Sequence, residues 1–288
     1  MDDAPFGLVA HPEKPGAADL VRQIQAEFQR HNRELVLEEV TASLTGSRDG
    51  VPAGEIGRFC GMILSLGGDG SLLRTVHRIW PHIVPIFGLN HGSLGFLTGI
   101  SSRDHAEAIE SLVNHQFVVT ERVLLEVCIM EEENVVREVI GLNDAVVSRG
   151  GLSRLIQMDV KIDGNDLTNY NADGLIVATP TGSTAYALAA GGPIVMPESE
   201  VFLLTPICPH VLTNRTLIFN DTSIIELDPC PSQEESFLTV DGMEEIRLGQ
   251  GNWLRIRRAE KKLPLVGMPH VPFFEVLRRK LKWSGSNV

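Results

Sequence analysis

Several things are scarce in this 288-residue sequence, and each scarcity removes a class of function. Only four cysteines occur, Cys60, Cys128, Cys208 and Cys230, far apart and without a Cys-x-x-Cys pair. Their spacing argues against a zinc site or a disulfide framework and fits buried thiols in a reducing compartment. Long apolar runs are missing too. The stretches 61–66 and 175–178 fall far short of the ~20 residues that span a bilayer. Asp2 and Asp3 stand where a signal peptide would be basic, and no apolar segment follows them. The expectation is a soluble, cytoplasmic protein. Basic residues are outnumbered, 25 Lys and Arg against 37 Asp and Glu, for a net charge of −12. Such a field disfavours nucleic acid and membrane surfaces as partners. The one basic cluster, Arg278, Arg279, Lys280 and Lys282, falls on a helix-like segment and reads as a solvated face. An acidic chain that handles polyphosphates then needs backbone amides, helix N-termini or Mg²⁺ to offset repulsion. Two nucleotide signatures are also absent. There is no Gly-x-x-x-x-Gly-Lys-Ser/Thr, so no P-loop, and no Gly-x-Gly-x-x-Gly after the first strand, which disfavours a plain Rossmann dehydrogenase.

What is present has ordinary globular composition, 43% hydrophobic and 22% charged, enough for two domains with cores. No repeat or low-complexity segment interrupts it. Residues 6–11, 34–40, 62–66 and 84–89 read as strands. Between them, 17–30, 71–79 and 104–113 place apolar residues at helical spacing, as with Leu20, Val21, Ile24 and Phe28. Alternating strands and helices imply an α/β domain with a parallel sheet over 1–120. After residue 120 the pattern turns to short strands: 123–130, 135–140, 145–148, 155–162, 174–178, 216–219, 223–227, 237–240 and 253–257. Only 184–190 looks helical there, so 121–269 is expected to be β-rich. A closing helix in 270–288, over 273–281, is expected to pack back on the first domain.

Three motifs carry chemistry. Gly67-Gly68-Asp69-Gly70 follows a strand and precedes a helix starting near Ser71. Glycines let the backbone approach a ligand, and the helix N-terminus favours an anion. Asp69 in such a turn is placed to meet a hydroxyl beside a phosphate, or a Mg²⁺ on one; a plain tight turn is the alternative. Gly88-Leu-Asn-His-Gly-Ser-Leu-Gly-Phe-Leu-Thr98 ends the next strand, and ligands bind outside the carboxyl ends of parallel strands. Phe96 there is a candidate stacking surface for a base, or core filling beneath the loop. Ala178-Thr-Pro-Thr-Gly-Ser-Thr-Ala-Tyr-Ala-Leu-Ala-Ala-Gly-Gly-Pro193 joins hydroxyls with small residues, which suits a planar ligand such as adenine, with Tyr186 offering a ring and a hydroxyl. A helix cap on a tightly packed helix is the alternative. Asn143-Asp144, Asp173-Gly174 and Asp241-Gly242 read as turns and, weakly, as sugar contacts.

Taken together these segments resemble the bacterial NAD kinase family. The likeness runs from His11-Pro12 to Trp283, and the Thr-Gly-Ser-Thr-Ala-Tyr186 stretch decides it, because Gly-Gly-Asp-Gly alone is shared with diacylglycerol-type lipid kinases and phosphofructokinases. The resemblance implies an NAD kinase/diacylglycerol kinase-like fold of two domains with the active site in the crevice between them. It implies transfer of the γ-phosphate of ATP to the 2′-hydroxyl of the adenosine ribose of NAD, giving NADP, with Asp69 as general base. Around NAD it implies Asp69, Gly70, Phe96, Asn143, Asp144, Arg154, Asn171, Asp173, Thr184, Ala185, Tyr186, Ala187, Leu188, Ala189 and Met243. It puts ATP phosphates at Gly67, Gly68, Gly70 and Ser71, with Mg²⁺ carried on ATP and no metal ligand assigned to the protein. A homo-oligomer, dimer or tetramer, with the β-rich domain at its interface is implied as well. Three positions depart from the family pattern: Asp144 where Glu is usual, Asn171 where Arg is common, and Met243 where a polar residue is frequent. They bear on affinity for NAD rather than on chemistry. The rivals are a lipid kinase of the same superfamily, disfavoured by the acidic charge, and a non-catalytic dinucleotide sensor, for which a retained Asp69 has no use.

Overall fold

A computed structural model describes residues 4–92, 94–150, 155–211, 213–229, 235–269 and 273–283. The chain forms two compact units, 1–121 with 263–288, and 122–262.

The first unit opens with β1 (Phe6–Ala10), α1 (Ala17–Arg30), β2 (Leu35–Leu37), α2 (Glu39–Leu44), the short α3 (Ile56–Phe59) and β3 (Met62–Gly67). It continues with α4 (Asp69–Ile79), β4 (Ile86–Asn90), β5 (Ile100–Ser101), α5 (His105–Val113) and β6 (Val118–Arg122). β1, β3 and β4 are buried along their whole length, as parallel strands covered on both faces must be. Their side chains alternate. Leu8, Leu64, Leu66 and Leu89 share a core with Leu20, Ile24 and Phe28 of α1 and Ile109 and Leu112 of α5. Ser65 points the other way, and its Oγ meets Thr75 Oγ1 of α4 at 3.1 Å. Helices therefore cover opposite faces.

The expected strand over 34–40 is cut short after Leu37. Glu38 is the reason: its carboxylate accepts the Thr41 N–H at 2.9 Å and caps α2, which starts where the strand was expected to continue.

The second unit holds β7 (Leu125–Glu131), β8 (Asn134–Gly141), β9 (Asp144–Arg149), β10 (Ile156–Ile162), β11 (Asn165–Ala172), β12 (Gly174–Ala178) and α6 (Tyr186–Ala189). β13 (Val201–Ile207), β14 (Leu217–Asn220), β15 (Ile225–Asp228), β16 (Ser236–Val240), β17 (Glu245–Leu248) and β18 (Asn252–Arg258) complete it. Two six-stranded antiparallel sheets result, ordered β11-β10-β15-β18-β7-β8 and β14-β13-β12-β9-β16-β17. Both feed one core, in which Val127, Met158, Leu175, Phe202 and Leu254 are buried. β10 shows the alternation of a half-buried strand, Ile156, Met158 and Val160 in and Gln157 and Asp159 out.

The chain then returns to the first unit through β19 (Leu263–Gly267) and α7 (Phe273–Leu281). The first sheet runs β2-β1-β3-β4-β19-β6, with β5 beside β4. β19 lies parallel to β4, pairing Leu265 with Ile86 and Val266 with Phe87, so 263–269 leaves the β-rich unit to which the sequence pattern assigned it. The expected 184–190 helix is two pieces, a 3₁₀ turn over Thr181–Thr184 and then α6, broken at Ala185. Cys60 and Cys128 are buried, but Cys208 is exposed in a left-handed turn after β13. Among the described residues no helix is long and apolar enough to cross a membrane.

Candidate active site

In the first unit the glycine motif sits where strand becomes helix. Gly68 is the extended residue before α4, and Asp69 is the helix's first residue, two positions earlier than spacing alone predicts. A Cβ on Gly68 or Gly70 would meet nothing within 4 Å, and neither residue has a positive φ. Nothing in the chain's own packing requires glycine at these two places. The room they leave faces outward, as a ligand's approach requires.

Asp69 faces the second motif. Its Oδ2 accepts the Phe96 N–H at 2.7 Å, and its Oδ1 accepts the N–H groups of Leu97 and Thr98 at 3.1 Å and the Thr98 hydroxyl at 2.8 Å. Gly95 permits this contact, because a Cβ there would lie 1.9 Å from Asp69 Oδ1. Thr98 is oriented in turn by Asn90 at the end of β4, whose Nδ2 donates to Thr98 Oγ1 at 2.8 Å. A carboxylate has about four acceptor sites. Three donors converge on Oδ1 and one on Oδ2, so Oδ2 retains a lone pair for a substrate hydroxyl. One face of the Phe96 ring lies under Lys280 of α7, whose Nζ is 5.8 Å from the ring centroid. Beside the turn a cavity of about 250 Å³ is lined by His11, Ser71, Arg74 and Arg78, among others. Of its two guanidinium groups, that of Arg78 is paired with the buried Glu38 carboxylate at 3.4 Å.

The second unit gathers its motif residues at one end of β12. Thr179 Oγ1 donates to the Leu142 carbonyl at 2.6 Å, and Thr179 N–H to the Asn143 carbonyl at 2.9 Å. Gly182 lets the hydroxyl-rich segment lie on Asn143, since a Cβ there would be 2.0 Å from the Asn143 carbonyl oxygen. The Tyr186 N–H donates to the Asp144 carboxylate, which explains why α6 restarts there. Asp144 is 4% exposed. Burial pushes its carboxyl up to about 7, repulsion from Asp241 adds to the rise, and the Tyr186 N–H opposes it. Asp241 accepts the N–H groups of Leu142, Asn143 and Asp144. Tyr186 is exposed, Ala187 is buried, Thr184, Ala185 and Leu188 are half-buried, and Ala189 is exposed again. Met243 follows Asp241 in a turn closed by its N–H to the Val240 carbonyl.

Asn171 and Asp173 lie at the other end of β12, about 17 Å away at strand spacing. Asp173 is engaged by Arg149, Nε to Oδ1 at 2.8 Å, and the Asn171 carbonyl accepts the His210 N–H. Arg154 lies outside the described residues. Asn90, Thr98 and Arg149 were not picked out as site residues by sequence reasoning; the first two sit inside a quoted motif, which was the available signal.

Among the described residues the only trio of His, Cys, Asp or Glu at ligand spacing is Glu126, Cys128 and Glu138, in the second unit. Arg257 Nε already holds Glu126 Oε1 at 2.6 Å, so that trio reads as an ion-pair row. Around Asp69 no such trio exists among the described residues.

Comparison with known proteins gives the family. Residues 6–117 match the ATP-NAD kinase N-terminal domain, and residues 142–268 match the ATP-NAD kinase C-terminal domain. The chain belongs to the NAD kinase family, a family of phosphotransferases. It is 36% identical to an NAD kinase of Solibacter usitatus over 278 residues, covering 96% of this chain and 97% of that one. It is 39% identical to an NAD kinase of Geobacter sulfurreducens over 282 residues, covering 97% of each. An NAD kinase from Archaeoglobus fulgidus in complex with ATP matches at a TM-score of 0.74 and 25% identity, covering 97% of this chain and 100% of that one. Yeast NADH kinase complexed with NADH shares the fold, with a TM-score of 0.89 at 24% identity over 100% of this chain and 90% of that one.

Proposed function

We propose that this NAD kinase family member transfers the γ-phosphate of ATP to the 2′-hydroxyl of the adenosine ribose of NAD, with Asp69 as general base. The observation that carries the reading is the turn itself: a carboxylate fixed by four donors, one lone pair left on Oδ2, and glycines on both sides with open space above them. A ribose hydroxyl is a poor nucleophile, and a base within reach is worth roughly 10²–10⁴ in rate. Oδ2 takes the hydroxyl proton as the oxygen attacks the γ-phosphorus, and the bond from that phosphorus to the β–γ bridging oxygen breaks, releasing ADP. Phosphoryl transfer otherwise needs alignment and neutralised charge. The N-terminus of α4, with Gly67, Gly68, Gly70 and Ser71, and the guanidinium group of Arg74 supply part of that. Mg²⁺ carried on ATP supplies the rest when bound.

NAD is held in this reading by Gly70 and Phe96 in the first unit. In the second it is held by Asn143, Asp144, Thr184, Ala185, Tyr186, Ala187, Leu188, Ala189 and Met243, with Asn171, Asp173 and Arg154 contributing elsewhere. The short Asp144 side chain, in place of a longer Glu, is spent partly on the Tyr186 N–H. The enzyme is taken to be cytoplasmic and homo-oligomeric. Incubation of the purified chain with ATP, Mg²⁺ and NAD tests the reading: NADP is expected to accumulate. Phosphorylation of diacylglycerol instead would favour a lipid kinase, and tight NAD binding without product would favour a sensor.

A further inference from the structure

Asp241 is a buried carboxylate whose role the sequence motifs do not explain. It follows β16 in the left-handed region, at φ 53°, and is 9% exposed. Its Oδ2 accepts the Leu142 N–H at 2.7 Å, and its Oδ1 accepts those of Asn143 at 2.7 Å and Asp144 at 3.1 Å. Its own N–H returns to the Asp144 carbonyl at 2.9 Å, so the two turns close on each other. A buried N–H left without an acceptor costs about 1–3 kcal/mol, and an ionised acceptor makes roughly twice as strong a bond as a neutral one. One carboxylate settles all three amides.

We propose that Asp241 is a positioning residue for the dinucleotide, fixing Asn143 and Asp144 by clamping the three amides of their turn. The proposal rests on the reading that Asn143 and Asp144 hold NAD. The Asn143 backbone is held on both sides, its N–H by Asp241 and its carbonyl by Thr179, so its side chain leaves the turn in one direction. The Asp144 carboxylate is likewise aimed at Tyr186, in the segment that suits adenine. The chemistry demands a carboxylate. The Asp241→Asn change keeps the shape, but it offers one acceptor oxygen and adds two donors to a place that already has three. Asparagine and glycine both tolerate the left-handed backbone, so a purely conformational role predicts no loss in Asp241→Asn or Asp241→Gly.

Two measurements test this. Steady-state kinetics of the full chain and both variants should show KM for NAD raised roughly tenfold or more, KM for ATP within about twofold, and kcat changed less than KM for NAD. A folded variant with wild-type KM for NAD, or KM values for NAD and ATP that rise together, overturns the proposal. Amide hydrogen exchange of the wild-type chain should show Leu142, Asn143 and Asp144 protected although they form a turn, and more so with NAD added. Fast exchange, or protection indifferent to NAD, overturns it even if neither variant folds. A wild-type chain that makes no NADP contradicts the functional reading alone, because exchange protection still reports on the clamp.

Discussion

In the first unit Asp69 gathers the amides of Phe96, Leu97 and Thr98; in the second Asp241 gathers those of Leu142, Asn143 and Asp144. Donor distances are 2.7–3.1 Å in both. The surroundings differ. Asp69 is half-exposed at the start of α4, between glycines with open space above them. Asp241 is buried, and a second acid, Asp144, stands close enough to repel it. The same hydrogen-bonding device thus leaves one carboxylate able to reach a substrate and keeps the other behind the turn it holds. In the proposed reading, chemistry and binding are divided between two carboxylates that look alike locally.

The largest expected effect is on the first of them. Asp69→Asn removes the base and should lower turnover by roughly 10²–10⁴, while circular dichroism stays close to wild type and the melting temperature falls, because an amide offers one acceptor oxygen to the four donors the carboxylate held. Turnover within a few-fold of wild type would remove Asp69 from the chemistry.

Glycine substitutions break the two turns separately. Gly95→Ala sets a Cβ against Asp69 Oδ1 and Thr98 Oγ1. It should cost roughly 10–10² in kcat by displacing the carboxylate, with KM for NAD moving less. Gly182→Ala sets a Cβ against the Asn143 carbonyl, which is backbone and cannot swing away. It should cost about 1–3 kcal/mol of stability in a denaturant melt and raise KM for NAD. If both variants lose kcat equally, the division of labour is wrong.

The smallest and most specific effect concerns pH. Burial, then Asp241, raises Asp144 from 3.8 to about 7 in the folded chain. The folded state therefore keeps a proton that the unfolded chain releases between those values, and stability falls as pH rises from about 4 to about 7. Asp144→Asn should flatten that slope and raise stability above pH 7 by up to about 4 kcal/mol, while still accepting the Tyr186 N–H. Melts of both proteins at pH 5 and pH 8 would show it. An unchanged slope would mean that Asp144 is ionised throughout.

How much was legible in the sequence depended on range. β1, β3 and β4 are mostly apolar and buried throughout, and two of them end in glycine-rich turns, so the α/β unit and its motifs could be read locally. α4 begins at Asp69 rather than Ser71 because Gly68 caps it without a side chain, leaving no capping signal. β11 went unread because five consecutive residues from Asn165 are exposed, as an edge strand permits, and no alternation shows. β19 went unread as well, and only its pairing with β4 returns 263–267 to the first unit. The two clamps were invisible for the same reason: Asp69 is 27–29 residues from its amides, and Asp241 is 97–99 from its own. Residue types announced a phosphate and a dinucleotide, but only the fold shows which carboxylate holds which turn.

The comparison is tested most directly by measuring kcat and KM for NAD of Asp69→Asn and Asp241→Asn side by side, at saturating ATP and Mg²⁺. The account predicts crossed losses: kcat collapses in Asp69→Asn with KM for NAD nearly kept, and KM for NAD rises in Asp241→Asn with kcat largely kept. Two variants failing in the same parameter would contradict it.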